Sequence, residues 1–129
     1  MADLKNGMSA TIEVVVDQEN CAATVGSGSL EVFATPMLVA AMEKAACMAI
    51  KDGLEGDETS VGTLVNVQHL APTPIGGKVT VSATLVKVEG RALSFEVEAR
   101  DAVGQVGKGT HDRFVVNAGR FMEKAKTRA

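Results

Sequence analysis

The sequence contains no tryptophan or tyrosine, and it has only four phenylalanines among its 129 residues. This scarcity argues against a surface that stacks the bases of single-stranded nucleic acid on aromatic rings. The net charge of −3 and the absence of a basic cluster argue against a surface that follows a phosphate backbone. We therefore expect no nucleic-acid partner.

Long apolar runs are also missing. No stretch approaches the roughly 20 apolar residues that a helix needs to span a bilayer. The first residues, Met-Ala-Asp-Leu-Lys-Asn, lack the apolar region of a signal peptide. We expect a cytoplasmic protein with no membrane partner. The length fits one domain over residues 1–129, which is enough to bury a core.

Cysteine occurs only twice, at Cys21 and Cys47, which are far apart and in no metal-ligand spacing. Cys47 lies in an apolar segment, where a small packed side chain is its expected role. That segment contains no histidine to activate a thiolate, so a cysteine nucleophile has little support. We predict neither a metal site nor a cofactor.

The segment from Met37 to Ile50 is nearly all apolar, and helix signals lie on both sides of it. Thr35-Pro36 supplies a side chain that can cap a helix and a residue that suits its first turn. Lys51-Asp52-Gly53 supplies a basic last turn and a glycine stop. Because almost every face of this helix is apolar, we predict that other structure encloses it.

Glu43 is the exception in the middle of this helix. A carboxylate in apolar surroundings must be paired, hydrogen-bonded or protonated, because burying an unpaired charge costs several kcal/mol. Such residues are enriched at catalytic sites. The alternative is that Glu43 and Lys44 form a polar stripe at the edge of the helix.

After the helix, the apolar pattern changes to strict alternation, which predicts strands. The predicted strands cover residues 61–70, 78–88, 92–101 and 105–116, with turns between them that make an antiparallel meander. On the first strand, alternation places His69 on the same side as Val61 and Val65, and Gly62 on the opposite side.

Two further strands are predicted before the helix, over residues 10–16 and, more weakly, 21–25. A short basic helix is predicted over residues 120–126. This order fits an α+β fold in which one curved antiparallel sheet wraps around a single central helix. The ends and the outer face of such a sheet favour a dimer.

Five stretches in this order resemble the hotdog-fold thioesterases, and within them the fluoroacetyl-CoA thioesterase-like group. They are Val32-Phe-Ala-Thr-Pro-Met-Leu-Val-Ala-Ala-Met-Glu-Lys-Ala-Ala46, Gly62, His69-Leu-Ala-Pro-Thr-Pro-Ile-Gly76, Val88-Glu-Gly-Arg91 and Gly107-Lys-Gly-Thr-His-Asp-Arg113. The resemblance extends to Val116. It implies a hotdog fold, a homodimer or a larger assembly, and hydrolysis of a small acyl thioester whose coenzyme A is part of the substrate.

The resemblance also implies site residues. In that group a threonine before the central helix, a glutamate within it and a histidine on the next strand are catalytic. These positions fall on Thr35, Glu43 and His69. A glycine whose backbone amide helps bind the thioester carbonyl falls on Gly62. The residue types suit the chemistry, which needs a hydroxyl or water, a base and donors for an oxyanion.

Each assignment has a simpler alternative. Thr35 can be a helix cap alone, and His69 can be a strand-end histidine satisfied by the turn that follows. On alternation His111 lies among exposed residues, which favours a structural or rim role. The case for catalysis is that Thr35, Glu43 and His69 fit one template.

Helix geometry limits how these residues meet. Eight residues at a rise of 1.5 Å separate Thr35 from Glu43 by about 12 Å, so the two side chains do not touch on one regular helix. We therefore predict a site at a dimer interface with groups from both chains, as is usual for hotdog enzymes.

The acyl pocket is expected near Phe33, Met37 and Met42. In the resembled group, bulky phenylalanines before the helix cover this pocket, whereas here the corresponding stretch reads Val25-Gly-Ser-Gly-Ser-Leu30. A glycine and serine loop leaves more room, so we expect a broader or different acyl-CoA preference.

Two other functions fit the resemblance less well. Some hotdog proteins bind acyl thioesters or other small ligands without turnover, and others are dehydratases, whose motif surroundings match less closely. The bases Lys78, Arg91, Arg113 and Arg120 are candidates for the phosphates of coenzyme A, although scattered bases are usually solvated surface.

Overall fold

The computed structural model describes residues 3–129. Its elements are β1 (Ser9–Val15), α1 (Ala22–Val25), α2 (Thr35–Ile50) with a 3-10 turn (Lys51–Gly53), β2 (Glu58–His69), β3 (Lys78–Glu89), β4 (Ala92–Arg100), β5 (Gln105–Asn117) and α3 (Ala118–Lys126). The five strands form one antiparallel sheet that curves around α2, which confirms the predicted architecture.

The strand order in the sheet is β1-β3-β4-β5-β2. Strands β3, β4 and β5 form the predicted meander, but β2 does not join it. The connection after His69 carries the chain across, so that β2 pairs with β5 and β1 pairs with β3. Strand β2 therefore lies at one end of the sheet, where the order gives it a neighbour on one edge only.

The core lies between α2 and the inner face of the sheet. The buried residues of α2 are Leu38, Ala41, Met42, Ala45, Ala46, Ala49 and Ile50, which recur at intervals of three and four residues and so share one helix face. They face Val79, Val81, Ala83 and Leu85 of β3 and Leu93, Phe95, Val97 and Ala99 of β4. The small alanines let the helix lie close to the sheet.

The other face of α2 is not enclosed within one chain, contrary to the sequence prediction. Met37, Ala40, Cys47 and Met48 are exposed on it, together with Lys44. The reason is that a single five-stranded sheet covers only one side of a helix. Cys47 is consequently not packed in the core of the protomer, whereas Cys21 is fully buried.

A β-bulge in β2 changes which residues share a face. The register shifts between Gly62 and Leu64, so Gly62 pairs with Arg113 while His69 pairs with Gly107. Paired residues of antiparallel strands point to the same side. The extra residue at Thr63 therefore brings Gly62 onto the inner face together with His69, and the placement of Gly62 on the opposite side was wrong.

The segment from Cys21 to Val25 was predicted as a weak strand. It is instead the single-turn helix α1, which ends at Gly26 with a φ of 88°. Only Cys21 keeps a strand-like contact, an isolated bridge to Phe33. Among residues 3–129, no helix is long and apolar enough to cross a membrane.

Candidate active site

Thr35 and His69 meet at the open end of the core. The Thr35 Oγ1 atom lies 2.8 Å from His69 Nδ1, although 34 residues separate the two in sequence. The side chain of Thr35 does not cap α2. Ala34 is the N-cap, and Thr35 is the first helical residue, so its hydroxyl is available to the imidazole.

The turn after β2 holds this pair in place. The backbone N–H of Phe33, just before α2, donates to the carbonyl of Thr73 at 2.8 Å. Thr73 Oγ1 donates to Asp101 Oδ2 at 2.8 Å. This bond and the backbone donors of Val103 and Gly104 lower the pKa of Asp101. The turn is thus fixed on both sides, and it sets the distance from His69 to the start of α2.

The environment of His69 suits a base. Burial lowers the pKa of His69 from its usual 6.5, and the backbone of Ala71 offsets part of that shift. The buried Nε2 atom has no hydrogen-bond partner within residues 3–129. The neutral imidazole therefore predominates at pH 7, and in its Nε2–H tautomer the Nδ1 lone pair faces the hydroxyl and can act as a base.

A groove of about 290 Å³ opens beside the pair. Its lining includes both Thr35 and His69. The other lining residues are Ala22, Ser27, Val32, Phe33, Leu70, Ala71 and Pro72. Of the residues expected to line an acyl pocket, only Phe33 contacts this groove. Met37 is 36% exposed on the first turn of α2, and Met42 is buried in the core.

Glu43 belongs to a second cluster on the same inner face. Its Oε2 atom lies 3.5 Å from Arg113 Nη1, which confirms that the carboxylate is paired. The Glu43 side chain is 40% exposed, whereas that of Arg113 is only 7% exposed. A Cβ atom on Gly62 would lie 2.7 Å from Glu43 Oε2. The absence of a side chain at Gly62 thus leaves the space that the carboxylate occupies.

His111 and Arg113 complete this cluster, and the sequence analysis placed both on the exposed side. They are 1% and 6% exposed. The placement of His111 among exposed residues was wrong, because the charge of its neighbours was taken as a sign of exposure. The apolar residue Val115, two positions further along the same strand face, could have indicated that this face is buried.

The two clusters are separate within one chain. Gly62 and His69 are seven residues apart on β2, which corresponds to about 23 Å along a strand. Thr35 and Glu43 are about 12 Å apart along α2. The structure therefore pairs Thr35 with His69 and Glu43 with Gly62, but one protomer does not bring all four to a common point.

A larger groove, of about 760 Å³, lies on the outer face of the sheet and contains none of these residues. Its lining consists mainly of the polar side chains that the strands turn toward solvent, including Ser82, Thr84, Glu96, Glu98 and Lys108. Groove size alone thus does not locate the site. Within residues 3–129, no three His, Cys, Asp or Glu side chains come together in a way that could hold a metal ion.

The chain is similar in sequence to known thioesterases. A family model described as fluoroacetyl-CoA-specific thioesterase matches residues 16–119. The fluoroacetyl-CoA thioesterase of Streptantibioticus cattleyicolor is 47% identical over 96 residues, which are 74% of this chain and 69% of that protein.

The chain is also similar in structure to solved thioesterases. A fluoroacetyl-CoA thioesterase structure superposes with a TM-score of 0.92 at 37% identity and covers 98% of both chains. A Thermus thermophilus protein described as a thioesterase superfamily member superposes with a TM-score of 0.89 at 29% identity, covering 99% of this chain and 97% of that one.

Proposed function

The chain belongs to the fluoroacetyl-CoA-specific thioesterase family, has the hotdog fold and is a thioester hydrolase, and we propose that it hydrolyses a small acyl-CoA at a site shared by two protomers. The observation that carries the proposal is the 2.8 Å contact between Thr35 Oγ1 and His69 Nδ1 beside an open groove. Coenzyme A enters as part of the substrate.

A homodimer would unite the two clusters. Strand β2 ends the sheet, and near its middle Leu64 and Val65 are 50% and 42% exposed. Antiparallel pairing of β2 with its copy, with the two-fold axis between Val65 and Asn66, sets His69 opposite Gly62 of the partner subunit. Glu43 of the partner subunit then faces Thr35 across the groove.

The same dimer accounts for the apolar face of α2 that one chain leaves exposed. Met37 and Met48 are 36% and 48% exposed on this face. Covering such side chains removes apolar surface from water, which stabilises the assembly by roughly 25 cal/mol per Å² buried. The site and the interface are therefore one structure, and an isolated protomer lacks half of the catalytic groups.

The proposed reaction begins with proton transfer to His69. Its Nδ1 atom takes a proton from the attacking oxygen as that oxygen bonds to the thioester carbonyl carbon. Negative charge develops on the carbonyl oxygen, and the backbone N–H of Gly62 from the partner subunit stabilises it. Collapse of this intermediate breaks the C–S bond, and His69 returns its proton to the thiolate of coenzyme A.

Two nucleophiles fit this base, namely Thr35 Oγ1 and a water that is hydrogen-bonded to it. Attack by Thr35 forms an acyl-threonine ester, which a water oriented by Glu43 of the partner subunit then hydrolyses. Rapid mixing separates the two routes. An acyl ester that accumulates produces a burst of one thiol per site, whereas direct attack by water produces none.

The loop before α2 bears on acyl preference. Residues 26–29 read Gly-Ser-Gly-Ser, and the flanking Val25 and Leu30 are 39% and 67% exposed rather than packed over the groove. No bulky side chain from this stretch closes the pocket. We propose that the enzyme discriminates weakly between acyl groups that differ by a few atoms.

The test is release of free thiol from a panel of acyl-CoA thioesters with acetyl, fluoroacetyl, short branched, medium-chain and aromatic acyl groups. We expect turnover of several members, with kcat/KM values for acetyl and fluoroacetyl within about 10-fold of each other. A factor of 10 is about 1.4 kcal/mol, near the low end of the roughly 1–3 kcal/mol that a small group contributes in a pocket.

A strong preference for the fluoroacetyl group over the acetyl group and over longer acyl groups would contradict the proposed breadth. Absence of turnover on every member, with the protein folded and dimeric, would contradict hydrolysis itself. Thermal stabilisation by the same thioesters would then identify a binding module.

A further inference from the structure

His111 has no part in the reaction proposed above, yet both of its ring nitrogens are engaged. The Nδ1 atom lies 2.7 Å from the backbone carbonyl of Leu64. The Nε2 atom lies 3.1 Å from Arg113 Nη1. The ring is 1% exposed and stacks with Phe95 at a centroid distance of 6.2 Å.

These two partners determine where the proton of His111 resides. A carbonyl oxygen only accepts hydrogen bonds, so Nδ1 carries the hydrogen and donates it to Leu64. A guanidinium only donates, so Nε2 carries a lone pair and accepts from Arg113. The network thus assigns the neutral Nδ1–H form, and a proton on Nε2 would face the N–H of Arg113.

Arg113 donates three hydrogen bonds and forms an ion pair with Glu43. Its Nε atom donates to Ser60 Oγ at 2.8 Å, and its Nη2 atom donates to the Ser60 carbonyl at 2.9 Å. Together with His111 Nε2, these acceptors surround the buried guanidinium and fix its plane. Because Nη1 has two hydrogens, one can bond to His111 while the other points at Glu43 Oε2, 3.5 Å away.

His111 also connects Arg113 to the bulge of β2. The carbonyl that His111 bonds belongs to Leu64, the first residue after the register shift. A Cβ atom on Gly62, on the other side of the bulge, would lie 3.3 Å from His111 Cε1. One ring therefore contacts both sides of the irregularity that turns Gly62 to the inner face.

We propose that His111 is a positioning residue, which fixes Arg113 and thereby places the Glu43 carboxylate for the reaction. This role rests on the proposed thioester hydrolysis, because Glu43 is assigned there to orient water. It acts through Arg113, and His111 itself does not touch the thioester.

Two substitutions separate positioning from packing. In His111→Gln, the terminal amide reaches about as far from the backbone as Nε2 does, so its oxygen can accept a hydrogen bond from Arg113. In His111→Asn, the shorter amide reaches about as far as Nδ1, so it can donate to Leu64 but no longer supplies the acceptor that Arg113 Nη1 has in His111 Nε2. We expect H111N to lower kcat by about 10- to 100-fold, the range for one hydrogen bond to a charged group.

For the same variant, KM should stay within about 3-fold, because the lost contact acts on the chemical step. H111Q should recover most of the lost kcat. Equal kcat values for the two variants, or losses that follow their melting temperatures, would overturn the proposal, because a packing role ranks them by stability alone.

A measurement on the unaltered protein keeps the proposal testable when a variant does not fold. Two-bond ¹H–¹⁵N correlation spectra at pH 7.5 should show His111 in the Nδ1–H form, and the Nε2–H form would overturn the assignment. If the protein hydrolyses no thioester, an Arg113 Hε resonance that is protected in H111Q and lost in H111N would still support the positioning of Arg113. That result would confine the failure to the proposed function.

Discussion

Replacement of His69 by alanine is expected to lower kcat on acyl-CoA thioesters by about 10²- to 10⁴-fold, the usual contribution of a general base. The reason is that His69 Nδ1 is the base within 2.8 Å of Thr35 Oγ1. The half-buried ring lies at the end of β2 and is absent from the hydrophobic core, so the variant should remain folded and dimeric. Steady-state thiol release and the melting temperature measure the two effects.

The pH profile provides the control for this prediction. Burial lowers the pKa of His69 from 6.5, and the neutral ring is the active form. In the unaltered enzyme kcat/KM should therefore fall as the pH drops through a pKa below 6.5, and H69A should lack this acidic limb. An H69A variant that retains more than about a tenth of kcat with the same limb would show that another group is the base.

Gly62→Ala is expected to lower kcat/KM by about 100-fold with only a modest loss of stability. The added Cβ would lie 2.7 Å from Glu43 Oε2 and 3.4 Å from Arg113 Nη1. The carboxylate is the far end of a flexible, 40% exposed side chain, so it can move aside. The buried His111 ring, 3.3 Å from the added Cβ, has to shift by a few tenths of an ångström. A displacement of about 1 Å at a reacting group is enough for a loss of this size.

Gly104→Ala is the matched control for this change. A Cβ at Gly104 would meet no atom within 4 Å, and alanine keeps the backbone N–H that donates to Asp101 in the β4–β5 turn. We expect G104A to retain the full kcat/KM. Equal activity of G62A and the unaltered enzyme would show that the space beside Glu43 has no catalytic importance.

Much of the fold follows from local pattern. The apolar run with its flanking signals predicted α2 to within a few residues, and alternation predicted β3, β4 and β5 because each has one buried face. The position of β2 did not follow. Alternation says which face of a strand is buried but not which strand is its neighbour, so the crossing after His69 required the structure.

The sequence predicted only part of the site. Glu43 stood out because a charge in an apolar helix needs a partner, but the sequence did not identify Arg113 as that partner. The bulge at Thr63 was also missed, because one extra residue in a strand does not change the composition. Without the bulge, the sequence could not show that Gly62 and His69 share a face. The Thr35–His69 pair came from the family template rather than from spacing.

The central claim is that each site takes Thr35 and His69 from one protomer and Glu43 from the other. Heterodimers test it most directly. An E43A protomer and an H69A protomer that carry different affinity tags are co-expressed and purified over both tags, and the reciprocal heterodimer joins an unaltered protomer to an E43A/H69A double variant.

A shared site predicts about half of the unaltered kcat per dimer for the E43A/H69A pairing, because one of its two sites is complete. It predicts almost no activity for the reciprocal heterodimer, in which each site lacks one group. A site contained within one chain gives the opposite pattern, an inactive first heterodimer and a half-active second one, and that result would contradict the account.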